Sequence, residues 1–194
     1  MTEPIRHSSD PIALLEQASA VFADVLRNVR PEQMALPTVN DEWDVRALIN
    51  HLVAGNYWAA EVTRKGSGLR ASGDVIGDRP PLDAYTASAQ EMIAAFREPG
   101  ALERQVSLPF GEMPAAGFAR FRFNDMIAHA WDLAQATGQN RDIAPELSEI
   151  AIVNARERLE GRDRAQTPFK DEVPVPADAP AADRLAGYLG KPVS

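Results

Sequence analysis

Two histidines and one carboxylate carry the chemistry that this sequence offers. Asp125 precedes His129 by four residues inside FNDMIAHAWDLAQATG, residues 123–138. Residues four apart share a helix face, so both side chains can point at one spot. Carboxylate plus imidazole is a usual pair for a divalent transition metal. His51 sits in a second apolar helical run far upstream. With it the set becomes two nitrogens and one oxygen, the ligand count of a catalytic zinc or similar site that keeps positions open for water or substrate. The expectation is that two helices meet at a metal held by His51, Asp125 and His129. Plainer readings stand beside it. A lone inward histidine is more often a hydrogen-bonded core residue, and a carboxylate on a packing face, costly unless paired, could be compensated by His129 and Arg122 in an ion cluster.

Asp132, one turn beyond His129, is a candidate acceptor for orienting an imidazole, as metal-bound histidines usually require; an ordinary interhelical hydrogen bond is the alternative. Trp43, Trp58 and Trp131 could wall an apolar pocket near the metal, although core packing is the commoner use of each. His7 lies in a polar tail and is not counted as a ligand. Glu42 and Asp44 flank a helix start and read as capping charges rather than as a general acid and base.

The elements that must position these residues are helical. Asp10 and Pro11 read as an N-cap with proline at the first helical position. Ile12, Leu15, Ser19, Phe22 and Leu26 then recur at helical spacing, in a helix that ends before Pro31. Asp44 caps a second helix whose stripe of Val45, Leu48, Leu52, Gly55, Trp58 and Val62 turns His51 inward. Residues 66–81, with four glycines, form a loop without the pattern of a phosphate-binding motif. A third helix runs from about Pro81 and stops before Pro99. QVSLPFGEMP, residues 105–114, holds two prolines and reads as a short, irregular hairpin at best. The fourth helix spans about Ala115 to Thr137, with Gly138 as its left-handed cap. Pro145 opens a fifth helix, and a short one over residues 181–189 follows a proline-rich loop. The fold class is all-α: a four-helix bundle with extra short helices, expected to occupy residues 1–194 as a single domain.

Composition narrows the function. Among 194 residues, 28 are acidic and 20 basic, for a net charge of −8. That sign disfavours nucleic acid and a polybasic membrane contact as partners. Without cysteine there is no thiolate nucleophile or thiolate ligand, so any metal must be held by histidine and carboxylate. No apolar run approaches the roughly 20 residues of a membrane span, and the polar N-terminus lacks a signal-peptide core. A cytoplasmic location is the expectation.

EWDVRALINHLVAGNYW around His51, Asp125 and His129 with AWDLAQATG, the LPFGEMPA segment, and VPVPADAPAADRLAGYLGK near the end together resemble the DinB-like superfamily of metal-binding four-helix bundles. The likeness is nearest to the actinobacterial branch containing the N-terminal domain of mycothiol-dependent maleylpyruvate isomerase, and it covers nearly the whole chain. Carried over by position, the family's metal ligands fall on His51, on Asp125, where the isomerase-like pattern would have glutamate, and on His129. The resemblance implies a divalent metal, zinc first with nickel or iron as alternatives, and mycothiol or another low-molecular-weight thiol as cosubstrate. The isomerase carries a further C-terminal domain, so the resemblance implies a metal-binding bundle more strongly than isomerisation of maleylpyruvate. The functional expectation is a thiol-dependent transferase or isomerase, with a small-molecule substrate and a homodimer as partners. The alternatives are a non-catalytic bundle that binds a small ligand or partner, and a metal-dependent hydrolase.

Overall fold

A computed structural model describes residues 10–167 and 169–193; His7 lies outside them. The described chain forms six helices and one hairpin: α1 (Pro11–Arg27), α2 (Val45–Lys65), α3 (Pro81–Phe96), β1 (Gln105–Leu108), β2 (Gly111–Pro114), α4 (Ala115–Thr137), α5 (Pro145–Leu159) and α6 (Ala181–Tyr188). Each boundary has a local cause. The Asp10 carboxylate accepts the Ile12 N–H ahead of Pro11, and Asp44 accepts the Ala47 N–H at 2.7 Å, so both expected caps form. Gly66 and Gly138 end α2 and α4 in the left-handed conformation, where a Cβ would add strain. Glu42 is no cap: it takes a left-handed backbone, φ 67°, in the turn before α2.

α1 packs on α4 and α3, and α2 packs on α3 and α4, which closes the four long helices into a bundle. α5 and α6 pack on each other and on α4. The interior is one continuous apolar cluster, with Phe22, Leu48, Leu52, Phe96, Phe118 and Trp131 among its fully buried members. α4 is central to it, and carries Arg122, His129 and Asp132 on the same buried surface as Phe118, Phe123 and Leu133. No helix of the described residues is long and apolar enough to cross a membrane.

The hairpin is more regular than its two prolines suggest. β1 and β2 pair antiparallel from Gln105↔Pro114 to Leu108↔Gly111. Pro109 falls in the two-residue loop and Pro114 at the strand end, where neither removes an interior ladder hydrogen bond. Its tip carries Pro109 and Phe110 to the same cavity that the histidines line.

Candidate metal centre

His51 comes from α2, and Asp125 and His129 from α4. One ligand atom from each lies within 4.8 Å of the other two. His129 Nε2 stands 3.4 Å from Asp125 Oδ1, and His51 Nε2 stands 3.8 Å from Asp125 Oδ2. Both separations exceed the roughly 2.7–3.2 Å of a hydrogen bond to nitrogen. They are close to the edge of a tetrahedron drawn about a zinc ion, about 3.4 Å for ligands at about 2.1 Å. The three side chains thus converge without hydrogen-bonding to one another, His129 nearest one Asp125 oxygen and His51 nearest the other, within the reach of a single cation.

The neighbours of this triad fix how it can act. His129 Nδ1 donates to Asp132 Oδ2 at 2.7 Å, which leaves Nε2 as the atom facing the triad. Asp132, fully buried, also accepts from Asn40 at 2.9 Å and meets the Lys191 ammonium with both oxygens at 2.6 Å. On the other side, Arg122 donates to Asp125 Oδ2 at 2.6 Å and to Asn56 Oδ1 at 2.9 Å. Asn56 in turn donates to Ser88, and Ser88 to the Tyr85 carbonyl. A chain of buried polar groups therefore runs from Asp125 through α4 and α2 into α3. The Asp125 Oδ1 atom is the one turned to His129, while Arg122 occupies Oδ2.

Gly55 makes this arrangement sterically accessible. It follows His51 by one turn of α2, and a Cβ there would meet both Arg122 terminal nitrogens at 2.9 Å and an Arg70 nitrogen at 2.7 Å. Arg122 is buried and held at two points, so it has little room to yield. The glycine lets two guanidinium groups lie against the helix beside His51. Trp43 covers the centre from outside, its ring centroid 4.4 Å from that of His51 and 6.0 Å from that of His129.

Charge follows from these contacts. Burial alone would push the Asp125 carboxyl up, but the Arg122 guanidinium and the two imidazoles outweigh it and hold it well below the usual carboxylate range. Burial also opposes charge on Asp132; Lys191, His129 and Asn40 outweigh it and bring the group to about 2. Burial works against a proton on His129, yet Asp125 and Asp132 raise it above the ordinary imidazole value. For His51 burial wins over Asp125 and takes it to about 4. The set is thus two ionised carboxylates, a His51 held neutral and a His129 whose proton is favoured, so a cation binding at His129 Nε2 competes with that proton.

Two of the three tryptophans border the space beside the triad. Trp43 and Trp58 line a cavity of about 670 Å³ together with His51, Asp125 and His129. Trp131 turns away, into the core, and donates to Asp183 at 2.6 Å. The supporting residues Asn40, Asn56, Ser88 and Lys191 were not singled out from the sequence. A polar residue on an apolar helix face, as Asn56 is, was the only signal for any of them.

The bundle and the converging triad define the DinB-like class of helical proteins. Residues 15–134 match the family described as the mycothiol maleylpyruvate isomerase N-terminal domain, and the chain belongs to that family. Among its relatives are two uncharacterized proteins of Mycobacterium tuberculosis, MT0763 and Rv0738. Each is 38% identical over 192 residues, covering 95% of this chain and 99% of the relative. The fold is also similar to crystal structures of the mycothiol-dependent maleylpyruvate isomerase and of a variant with one histidine replaced by alanine. The TM-score is 0.59 in both cases, with 15% and 14% identity, over 77% of this chain and 68% of the other.

The network yields two expected results, both read by calorimetric zinc titration. Asp132→Asn removes the acceptor charge behind His129 and is expected to weaken zinc binding by roughly 10–100-fold; undiminished affinity contradicts the role of Asp132. In the parent chain, zinc must displace the His129 proton. Affinity is therefore expected to level off above the raised His129 value and to fall about tenfold per pH unit below it. A profile that stays flat down to about 4, where His51 titrates, would show that His129 is not a ligand.

Proposed function

We propose that this protein is a metal-dependent enzyme of thiol chemistry, with His51, Asp125 and His129 holding a divalent ion, zinc by preference, beside a cavity that receives a low-molecular-weight thiol of the mycothiol type and its electrophilic partner. The observation that carries this reading is the convergence of three unbonded donor atoms at the wall of a cavity of about 670 Å³. The donor set fits: two imidazole nitrogens and one carboxylate oxygen suit zinc, nickel or iron, and leave positions free for exogenous groups. When bound, a divalent ion supplies a Lewis acid that favours the ionised form of a thiol or water.

The rest of the work falls to the chain. Asp132 keeps His129 in one tautomer, and Arg122 holds Asp125 in place by one oxygen while the other faces the triad. Trp43 and Trp58 give the cavity apolar walls beside the charged centre, which limits water there and strengthens electrostatic interactions. The protein needs no cysteine, because the sulfur arrives with the cosubstrate. Membership of the isomerase N-terminal-domain family supports the thiol, and isomerase or transferase chemistry with it. The cytoplasm, where small thiols are kept reduced, is the compartment in which this chemistry fits.

A second reading has one observation in its favour. Arg122 and the histidines already compensate Asp125, so the bundle can satisfy its buried charge as a non-catalytic binding module. The two separate on turnover. Zinc-loaded protein, mycothiol and a bimane electrophile are expected to give conjugate at a rate that falls by at least about 100-fold in His129→Ala, with helicity by circular dichroism retained. Equal rates in the folded variant would contradict the enzyme reading.

A further inference from the structure

The cavity beside the triad carries more positive charge than its own carboxylates balance. Lys170 pairs with Asp41 at 2.7 Å, and Lys191 with Asp132. Arg70, Arg122 and Arg158 also line it, and among the described residues they share only Asp125. Arg70 donates to the His51 carbonyl and, among the described residues, forms no salt bridge to a carboxylate. This is a local reversal of sign in a chain whose net charge is −8, and such a reversal in a concave, low-dielectric site concentrates anions.

Arg158 is the most telling of the three. Its guanidinium lies 4.3 Å above the Phe121 ring, with Phe110 at 5.4 Å and Phe169 at 5.9 Å. α4, α5, the hairpin tip and the segment after residue 168 each bring one of these four residues. Among the described residues no hydrogen bond or salt bridge joins the guanidinium to an acceptor, and it is half-buried, with burial and Arg162 outweighing Asp125 to disfavour its charge. Stacking occupies the faces of a guanidinium and leaves its N–H edge, the fork that matches a carboxylate bidentately.

Position relates Arg158 to the triad. Phe121 precedes Asp125 by one turn of α4, about 6 Å along the helix axis at 1.5 Å per residue, so the ring under Arg158 and the carboxylate share one face of that helix, and both border the same cavity. Phe110 is 44% exposed and Leu69 91% exposed, and both border the same cavity.

We infer that Arg158, on its platform of Phe110, Phe121 and Phe169, is a carboxylate-binding subsite, which selects a small co-substrate with an apolar or aromatic body and an anionic end. The apolar body lies along Leu69 and Phe110, the carboxylate meets the Arg158 fork, and the reacting end is directed toward His51, Asp125 and His129. That orientation rests on the reading of this cavity as the substrate site; the anion-binding property does not. Arg158 is then a specificity residue, in contact with substrate but away from the reacting atoms.

The test uses the full chain, treated with chelator and verified as folded by circular dichroism, titrated with phenylbutyrate and separately with its neutral analogue phenylbutyramide. Fluorescence of Trp43 and Trp58 reports occupancy. The carboxylate is expected to bind roughly 10–100-fold more tightly than the amide, the range for a hydrogen bond to a charged group, and Arg158→Gln is expected to remove that preference while leaving amide binding unchanged. Arg158→Lys keeps a charge but not the fork, and is expected to keep only part of the preference. Equal binding of carboxylate and amide by the parent chain would overturn the inference, as would a preference undiminished in both variants. Since no metal or thiol is present, failure of the proposed thiol chemistry leaves this result intact, and the reverse holds as well.

Discussion

Asp125 presents the constraint on which the rest of this structure depends: a carboxylate on the packing surface of the central helix must be compensated, or it costs several kcal/mol. The chain compensates it in two directions. Arg122 takes one oxygen from within α4, and is itself tied to Asn56 on α2 and, through Ser88, to α3. The two imidazoles approach beyond hydrogen-bond distance, His129 at the other oxygen and His51 nearer the one that Arg122 holds. A purely structural ion pair would need only the first arrangement. The second brings one ligand atom each from His51, Asp125 and His129 within 4.8 Å of one another, and that residual geometry is what the proposed metal site rests on.

The same constraint explains features that look unrelated in sequence. Gly55 is needed because Arg122 and Arg70 crowd α2 where a side chain would otherwise be. Lys191, near the end of the described chain, is needed because Asp132, unlike the partly buried Asp125, is a fully buried carboxylate behind His129. Its ammonium balances that charge and brings residues 189–192 to the edge of the cavity. One carboxylate toward the solvent-facing centre and another buried behind it thus organise glycine, lysine and asparagine positions on three segments of the chain: the connection before α2, α2 itself and the stretch after α6.

Much of this was legible beforehand, for identifiable reasons. Helix boundaries followed from Asp10 with Pro11, Asp44, Gly66 and Gly138, because caps are local chemistry. Asp125 and His129 were legible as a pair because helical spacing is fixed, and His51 because its stripe turned it inward. The hairpin was underestimated, since proline counts against a strand only where it interrupts a ladder, and register decides that. Asn40, Asn56, Ser88 and Lys191 were illegible because their roles depend on contacts up to 92 residues apart. Trp131 differed from Trp43 and Trp58 only in which side of its helix faced the core, and Asp183, its partner, lies 52 residues on. Arg158 gave no signal, as its platform is assembled from elements with no periodic relation to one another.

X-ray absorption spectroscopy at the zinc edge, on the full chain loaded with one equivalent of zinc, tests the central claim most directly. A low-coordinate nitrogen and oxygen shell at about 2.0–2.2 Å is expected, with outer-shell scattering from two imidazole rings that drops to one ring in His51→Ala or His129→Ala. A zinc shell without imidazole scattering, or the same two-ring signature in both variants, would contradict it.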